Sequence, residues 1–271
     1  MWHAAAGRGR VLGAGGLYHA CVTTRARGRA QRLRGHAAGV VLAGGSGTRV
    51  GAGINKAFLP LSGRSIASWG INTLGSVDGV GTLVFVVRPE DREAARFVAE
   101  RETELPLEII TGGDTRQESE LLALRHLADR IDAGHVRTVL IHDAARPLVS
   151  HGLAAAVLHA AIDHGGAVPA IPARDVAARD GEGRLRTGVV EPDTLLRVQT
   201  PQGFHAVTIL DAYEAAARDG FVGTDTASCA QEYTDIPTAW VLGEETNFKI
   251  TYAQDLLLAQ DVVAALGLRT G

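Results

Sequence analysis

The chain has 271 residues, 46% of them hydrophobic and 5% aromatic, and a formal net charge of −3. That length carries one sizeable core with a small insertion and leaves two full domains cramped. The charge and the few aromatics argue against a nucleic-acid surface, and no apolar run reaches the roughly 18 residues of a membrane span. Cys21 and Cys229 lack CxxC or Cys/His spacing, so they read as reduced thiols of a cytoplasmic protein rather than a disulfide framework or a zinc site.

Residues 1–35 carry seven arginines, and no acidic residue precedes Asp78. They read as a basic, disordered extension outside the fold, with a single domain over 38–271. From there apolar runs alternate with helical stretches. Gly39–Ala43 is a short, continuously apolar run ending at glycines, the pattern of a buried parallel strand. A helix over Ser65–Leu74, a strand over Thr82–Val87, a helix over Glu90–Glu102 and a strand over Leu107–Ile110 follow. Next come a helix over Gln117–Ile131, a strand over Thr138–His142, a helix over Gly152–His164 and a strand over Ala167–Ile171. The alternation predicts an α/β fold with a doubly wound, mostly parallel sheet, whose ligands sit beyond the carboxyl ends of the strands. Between about 173 and 198 the rhythm breaks into a β-hairpin, Ala173–Ala178 and Leu185–Val190 around Asp180–Gly183, which reads as a projecting arm. Helices over Ala206–Asp219 and Thr224–Glu232, a strand over Thr238–Leu242 and a last helix over Asp255–Leu266 complete the chain.

Of 27 basic residues only Lys56 and Lys249 are lysines, which marks both as places where a compact ammonium suits better than a planar guanidinium. The first strand runs into Leu42-Ala-Gly-Gly-Ser-Gly-Thr-Arg49, with Lys56 seven residues on. Glycines allow the backbone near a phosphate, successive N–H groups make an anion nest, and Arg49 and Lys56 add cations around a triphosphate. The dinucleotide fingerprint fails, because Val50 stands where glycine is needed. The P-loop fails as well, because Asn55 and Ala57 flank Lys56.

Five segments then share one resemblance. They are Leu42–Lys56, Gly112-Gly-Asp-Thr-Arg-Gln-Glu-Ser119, His142-Asp-Ala-Ala-Arg-Pro147, Gln199-Thr-Pro-Gln-Gly-Phe204, and Thr224-Asp-Thr-Ala-Ser228 with Asn247-Phe-Lys-Ile-Thr251. In this order they resemble the 2-C-methyl-D-erythritol 4-phosphate cytidylyltransferases, within the sugar-phosphate nucleotidyltransferases and their Rossmann-like fold. The resemblance implies transfer of CMP from CTP to the acceptor's phosphate, with Arg49 and Lys56 as the catalytic cations. It places CTP on Ala43, Gly44, Gly45, Ser46, Gly47, Gly112, Asp114 and Ser119. It places the acceptor, a small polyol phosphate, on Asp143, Ala144, Arg146, Thr200, Thr224 and Lys249. It also implies Mg²⁺ or another divalent cation held through the phosphates near Asp143, and a homodimer that exchanges its β-arms. For Asp143 the plain structural alternative is an ion pair with Arg146.

Two departures fall on the acceptor side. Val176 stands on the arm where the family has threonine, and Pro192 stands eight residues before Thr200 where the family has an arginine. Both remove polar contacts, so a cytidylyltransferase for another polyol phosphate, such as ribitol 5-phosphate, is the nearest rival. A sugar 1-phosphate nucleotidyltransferase and a non-catalytic nucleotide-binding relative are more distant ones.

Overall fold

A computed structural model describes residues 35–45, 55–103, 105–173, 176–186 and 195–268. The expected 1–35 extension, Gly35 apart, lies outside them, as do Ser46, Gly47, Arg49 and Pro192. The sheet is built on β1 (Ala37–Ala43), every residue of which is buried. On one side β1 pairs in parallel with β4 (Val80–Val87), which pairs in parallel with β5 (Glu108–Thr111). On its other side it pairs in parallel with β6 (Thr138–Asp143). A short hairpin, β2 (Pro60–Leu61) and β3 (Arg64–Ser65), precedes the first helix.

Beyond β6 the direction reverses. β7 (Gly166–Pro172) is not hydrogen-bonded to β6; β11 (Gln202–His205) lies between them, antiparallel to both. β10 (Leu196–Val198) pairs antiparallel with the far end of β7, and β12 (Thr238–Leu242) pairs in parallel along its other side. The chain passes from β10 to β11 through a cis Thr200–Pro201 peptide. The mixed sheet thus has eight strands among the described residues, mostly parallel as expected. The antiparallel insert was not expected: three- and four-residue strands carrying Arg197, Gln202 and His205 show no apolar run. In the arm, β8 (Ala178–Arg179) and β9 (Leu185–Arg186) pair antiparallel. A hairpin forms around Asp180–Gly183 as expected, but its first strand starts at Ala178, and Ala173, Val176 and Ala177 of the expected Ala173–Ala178 strand are not in it.

Of the seven helices among the described residues, six cover the two faces. Ala38, Val40 and Leu42 of β1 point to one core with α3 (Arg116–Asp132), α5 (Ala206–Asp219) and α6 (Thr226–Tyr233). Ala37, Val41 and Ala43 point to the other with α1 (Ile66–Ser76), α2 (Arg92–Arg101) and α4 (His151–His164). The period-two alternation of a strand buried on both faces is what makes the fold doubly wound. The last helix, α7 (Ala253–Ala265), closes a smaller cluster on Leu61, Ile66 and Ile250. Most expected elements fall within two residues of those observed.

The outer strand is tied to its helix by charge. Arg130 Nη1 and Nη2 donate to the two oxygens of Glu108, at 2.7 and 2.8 Å, and His126 Nε2 lies 2.6 Å away. The Arg130 bonds, aided by His126, hold the Glu108 carboxyl down to about 2. A depressed carboxylate stabilises the fold above its unfolded value near 4.5 and stops doing so as pH falls through 2. Glu108→Gln should therefore unfold at lower urea than the parent at pH 7, and the gap should close between pH 4.5 and 2. An unchanged gap across that window would show that the cluster contributes nothing through its charge.

Candidate active site

The carboxyl ends of β1, β4, β5 and β6 share one edge of the sheet, and the segments at Leu42–Lys56, Gly112–Ser119, His142–Pro147 and Asn247–Thr251 meet there. Lys56 is placed by its neighbour Asn55, which is 2% exposed. Asn55 Nδ2 donates to the Ala43 carbonyl (2.6 Å) and to Asp91 Oδ2 (2.8 Å), while its Oδ1 accepts from the Ala57 N–H (3.1 Å). Arg88 holds Asp91 in turn, through Nε at 2.7 Å and Nη2 at 3.0 Å. A buried amide with its donors and acceptor satisfied is rigid, so the turn that carries Lys56 is fixed to the end of β1.

After β5, the turn at Gly112–Asp114 is clasped by α3. The Ser119 hydroxyl accepts from the Gly113 N–H (3.1 Å) and donates to the Gly113 carbonyl (3.3 Å). Glu118 Oε2 accepts the Asp114 N–H at 2.9 Å, and the Thr115 side chain caps the helix by accepting from the Glu118 N–H at 3.0 Å. A Cβ on Gly112 would lie 2.6 Å from Ser119 Oγ and 3.0 Å from Val86 Cγ1, so the clasp closes only on glycine.

Asp143 ends β6 with 9% of its surface exposed. Lys249 Nζ lies 2.7 Å from its Oδ2 and Arg116 Nε 3.3 Å from its Oδ1. Burial alone would raise the carboxyl, but Arg116 and Lys249 hold it well below the usual carboxylate range. The expected alternative partner, Arg146, turns away: its Nη1 donates to the Asn247 carbonyl (2.8 Å) and its Nη2 to the Val198 carbonyl (3.3 Å). Lys249 is delivered by a segment pinned to the site. Asn247 Nδ2 donates to the Thr200 carbonyl (2.9 Å), and the Ile250 N–H donates to the Ala145 carbonyl (2.8 Å).

Behind Asp143 runs a relay of fixed polarity. His142 Nε2 is 3.0 Å from the Arg146 carbonyl, so it carries the proton and leaves Nδ1 to accept from the Thr200 hydroxyl at 3.0 Å. Thr200 Oγ1 accepts the Asp143 N–H at 3.0 Å. Burial pushes the His142 imidazole down to about 4, so it stays neutral near pH 7.

These groups enclose a cavity of about 420 Å³, within the usual range for small-molecule sites. Of the expected residues, Ala43, Gly44, Gly45, Lys56, Asp114, Ser119, Asp143, Ala144 and Lys249 line it. Gly112 sits behind Ser119, whereas Arg146, Thr200 and the exposed Thr224 are not in its wall. Arg116 and Asn55 do line it and were not singled out from sequence. Arg116 stood inside the quoted Gly112–Ser119 segment and Asn55 beside Lys56; only the three-dimensional pairing identifies them. If the Gly112–Ser119 clasp is as tight as its distances imply, Gly112→Ala should destabilise by about 1–3 kcal/mol. Removing the Ser119 hydroxyl as well should recover part of that loss. Strictly additive losses in urea denaturation of the two single variants and the double variant would contradict the contact.

The family model for 2-C-methyl-D-erythritol 4-phosphate cytidylyltransferase matches residues 37–265. The chain is 39% identical over 235 residues to the bifunctional enzyme IspD/IspF of Dinoroseobacter shibae, with 86% of this chain aligned and only 56% of that longer protein. It is 38% identical over 222 residues to the 2-C-methyl-D-erythritol 4-phosphate cytidylyltransferase of Thermus thermophilus, covering 82% of this chain and 94% of that one. The crystal structure of the cytidylyltransferase from Thermus thermophilus superposes with a TM-score of 0.65 at 34% identity, over 83% of this chain and 98% of that one. With the family model matched over residues 37–265 and the Thermus thermophilus relative covered over 94% of its length, the chain belongs to the 2-C-methyl-D-erythritol 4-phosphate cytidylyltransferase family.

Proposed function

We propose that the chain transfers CMP from CTP to 2-C-methyl-D-erythritol 4-phosphate, releasing pyrophosphate. One observation carries this: residues from four regions remote in sequence, at Leu42–Ala57, Asp114–Ser119, Asp143–Ala145 and Lys249, surround one cavity. They belong to the segments that carry the family resemblance. An oxygen of the acceptor's phosphate attacks the α-phosphorus of CTP. The bond from that phosphorus to the α–β bridging oxygen breaks, and its electron pair leaves with pyrophosphate. No side chain need become bonded to substrate, so the protein's work is positioning and charge. Lys56 offers an ammonium to the triphosphate from a fixed turn, and Arg49, outside the described residues, is assigned the same role. The Gly112–Ser119 turn receives cytosine. Asp143 and Lys249 meet the acceptor, and Lys249's half-exposed ammonium suits its phosphate.

We assign Mg²⁺ as the cofactor, held chiefly by the phosphates. Asp143 is the protein carboxylate we assign to it, and among the described residues no three metal-binding side chains converge. A cation that keeps its waters and binds phosphate oxygens suits so sparse a donor set. When bound it neutralises charge on the triphosphate. The working form we assign is a homodimer. Val198 and Leu242 both register against Ala170 of β7, and each is exposed, at 40% and 67%. With Leu196 and Trp240 they offer an apolar surface at the arm's base. We place the enzyme in the cytoplasm. Cys229 is free and buried, and burial pushes its thiol up to about 11, which fits a reducing compartment. No helix among the described residues is long and apolar enough to cross a membrane.

Pyrophosphate release from CTP, Mg²⁺ and 2-C-methyl-D-erythritol 4-phosphate should be rapid, and Lys56→Ala should slow it by about 10²–10³. Turnover with ribitol 5-phosphate alone would overturn the acceptor assignment, and silence with both would overturn the reaction. Light scattering should give twice the chain's mass, and Leu242→Asp should halve it. A monomeric parent would refute the dimer.

A further inference from the structure

Glu120 stands on α3, one turn after Arg116, with 1% of its surface exposed. A carboxylate there is tolerated only if its surroundings supply donors, and they come from three helices. The Tyr213 hydroxyl of α5 donates to Oε2 at 2.6 Å, and the Thr226 hydroxyl of α6 donates to Oε1 at 2.7 Å. Arg116 Nη1 lies 2.6 Å from the same Oε1. Its hydrogens are not aimed at that oxygen, so the link is a charge contact rather than a directional bond. Burial and Glu120 together push the Tyr213 phenol well above its ordinary value, which keeps its proton in place as a donor. Burial pushes the Glu120 carboxyl up, and the neighbouring Arg116 guanidinium with the Tyr213 and Thr226 hydroxyls opposes that push.

Arg116 therefore spans two carboxylates, Glu120 behind it and Asp143 in the cavity wall, where Nε makes its bond. Basic and acidic groups alternate in contact along the line Lys249, Asp143, Arg116, Glu120. A guanidinium with only Asp143 to satisfy it is free to swing into a bidentate pair or towards a phosphate. With Glu120 fixed by two hydroxyls it is held in place.

We infer that Glu120 is a positioning residue: through Arg116 it fixes the orientation of the Asp143 carboxylate, and with it the surface that the acceptor meets. Tyr213 and Thr226 are its supports. The inference rests on the acceptor reading of Asp143 given above.

Glu120→Gln is the test. The KM for the acceptor should rise by about tenfold, with the KM for CTP within twofold of the parent and the far-UV spectrum unchanged. Tyr213→Phe and Thr226→Val, which keep the carboxylate, should shift the acceptor KM in the same direction by less. They carry the test if Glu120→Gln does not fold. Arg116→Lys should reproduce the Glu120→Gln effect, and the double variant should be no worse than either single one. Independently of turnover, the Arg116 Nε–H should give a solvent-protected ¹⁵N resonance in the parent and lose its protection in Glu120→Gln. A lower Tm with unchanged kinetics and a protected resonance would overturn the inference, as would equal losses for CTP and acceptor. A parent without turnover defeats the functional reading alone, since the resonance still decides the role of Glu120.

Discussion

A carboxylate at the end of a fully buried strand governs this molecule. Asp143 sits where β6 leaves the core, and leaving it uncompensated would cost several kcal/mol. Its two partners come from opposite directions along the chain, Arg116 from the start of α3 and Lys249 from the segment before α7. To deliver Lys249, Asn247 must be buried and bonded to the Thr200 backbone, and Ile250 must bond to Ala145. The ionic requirement of one side chain thus fastens the C-terminal segment to the sheet and builds one wall of the cavity.

The same requirement shapes the field inside. Three cations, Lys56, Arg116 and Lys249, line the cavity against two carboxylates, Asp114 and Asp143. Two of those cations are already engaged with Asp143, so little reorganisation is left for the moment of reaction. A surplus of fixed positive charge in a partly enclosed space favours phosphate-bearing ligands. The neutral relay through Thr200 and His142 adds direction without charge, because a buried imidazolium there would face the Arg146 carbonyl at one nitrogen and a hydroxyl already bonded to Asp143 at the other.

Much of this was legible in the sequence. The continuously apolar run at Gly39–Ala43, and the α/β alternation after it, led to the doubly wound sheet because burial on both faces leaves no polar alternation to misread. The rarity of lysine pointed to Lys56 and Lys249, and both line the cavity. What the sequence withheld is long-range pairing. Arg116 is one arginine among many until Asp143 and Glu120 are seen on either side of it. Glu120 reads as a solvated helical residue, since nothing local announces that Tyr213 and Thr226 will converge on it. The placing of Arg146 on backbone carbonyls was hidden for the same reason: an arginine three residues from an aspartate suggests a pair, and only the tertiary path of Asn247 and Val198 draws it away.

The most direct test is a crystal structure of the chain with CTP. The triphosphate should lie within hydrogen-bonding distance of Lys56 Nζ, and the cytosine should lie against the Gly112–Ser119 turn. A second cavity, of about 410 Å³, is lined by His36, His159 and His205 near the opposite ends of the strands. Nucleotide bound there, with the Asp143 cavity left to solvent, would contradict the account.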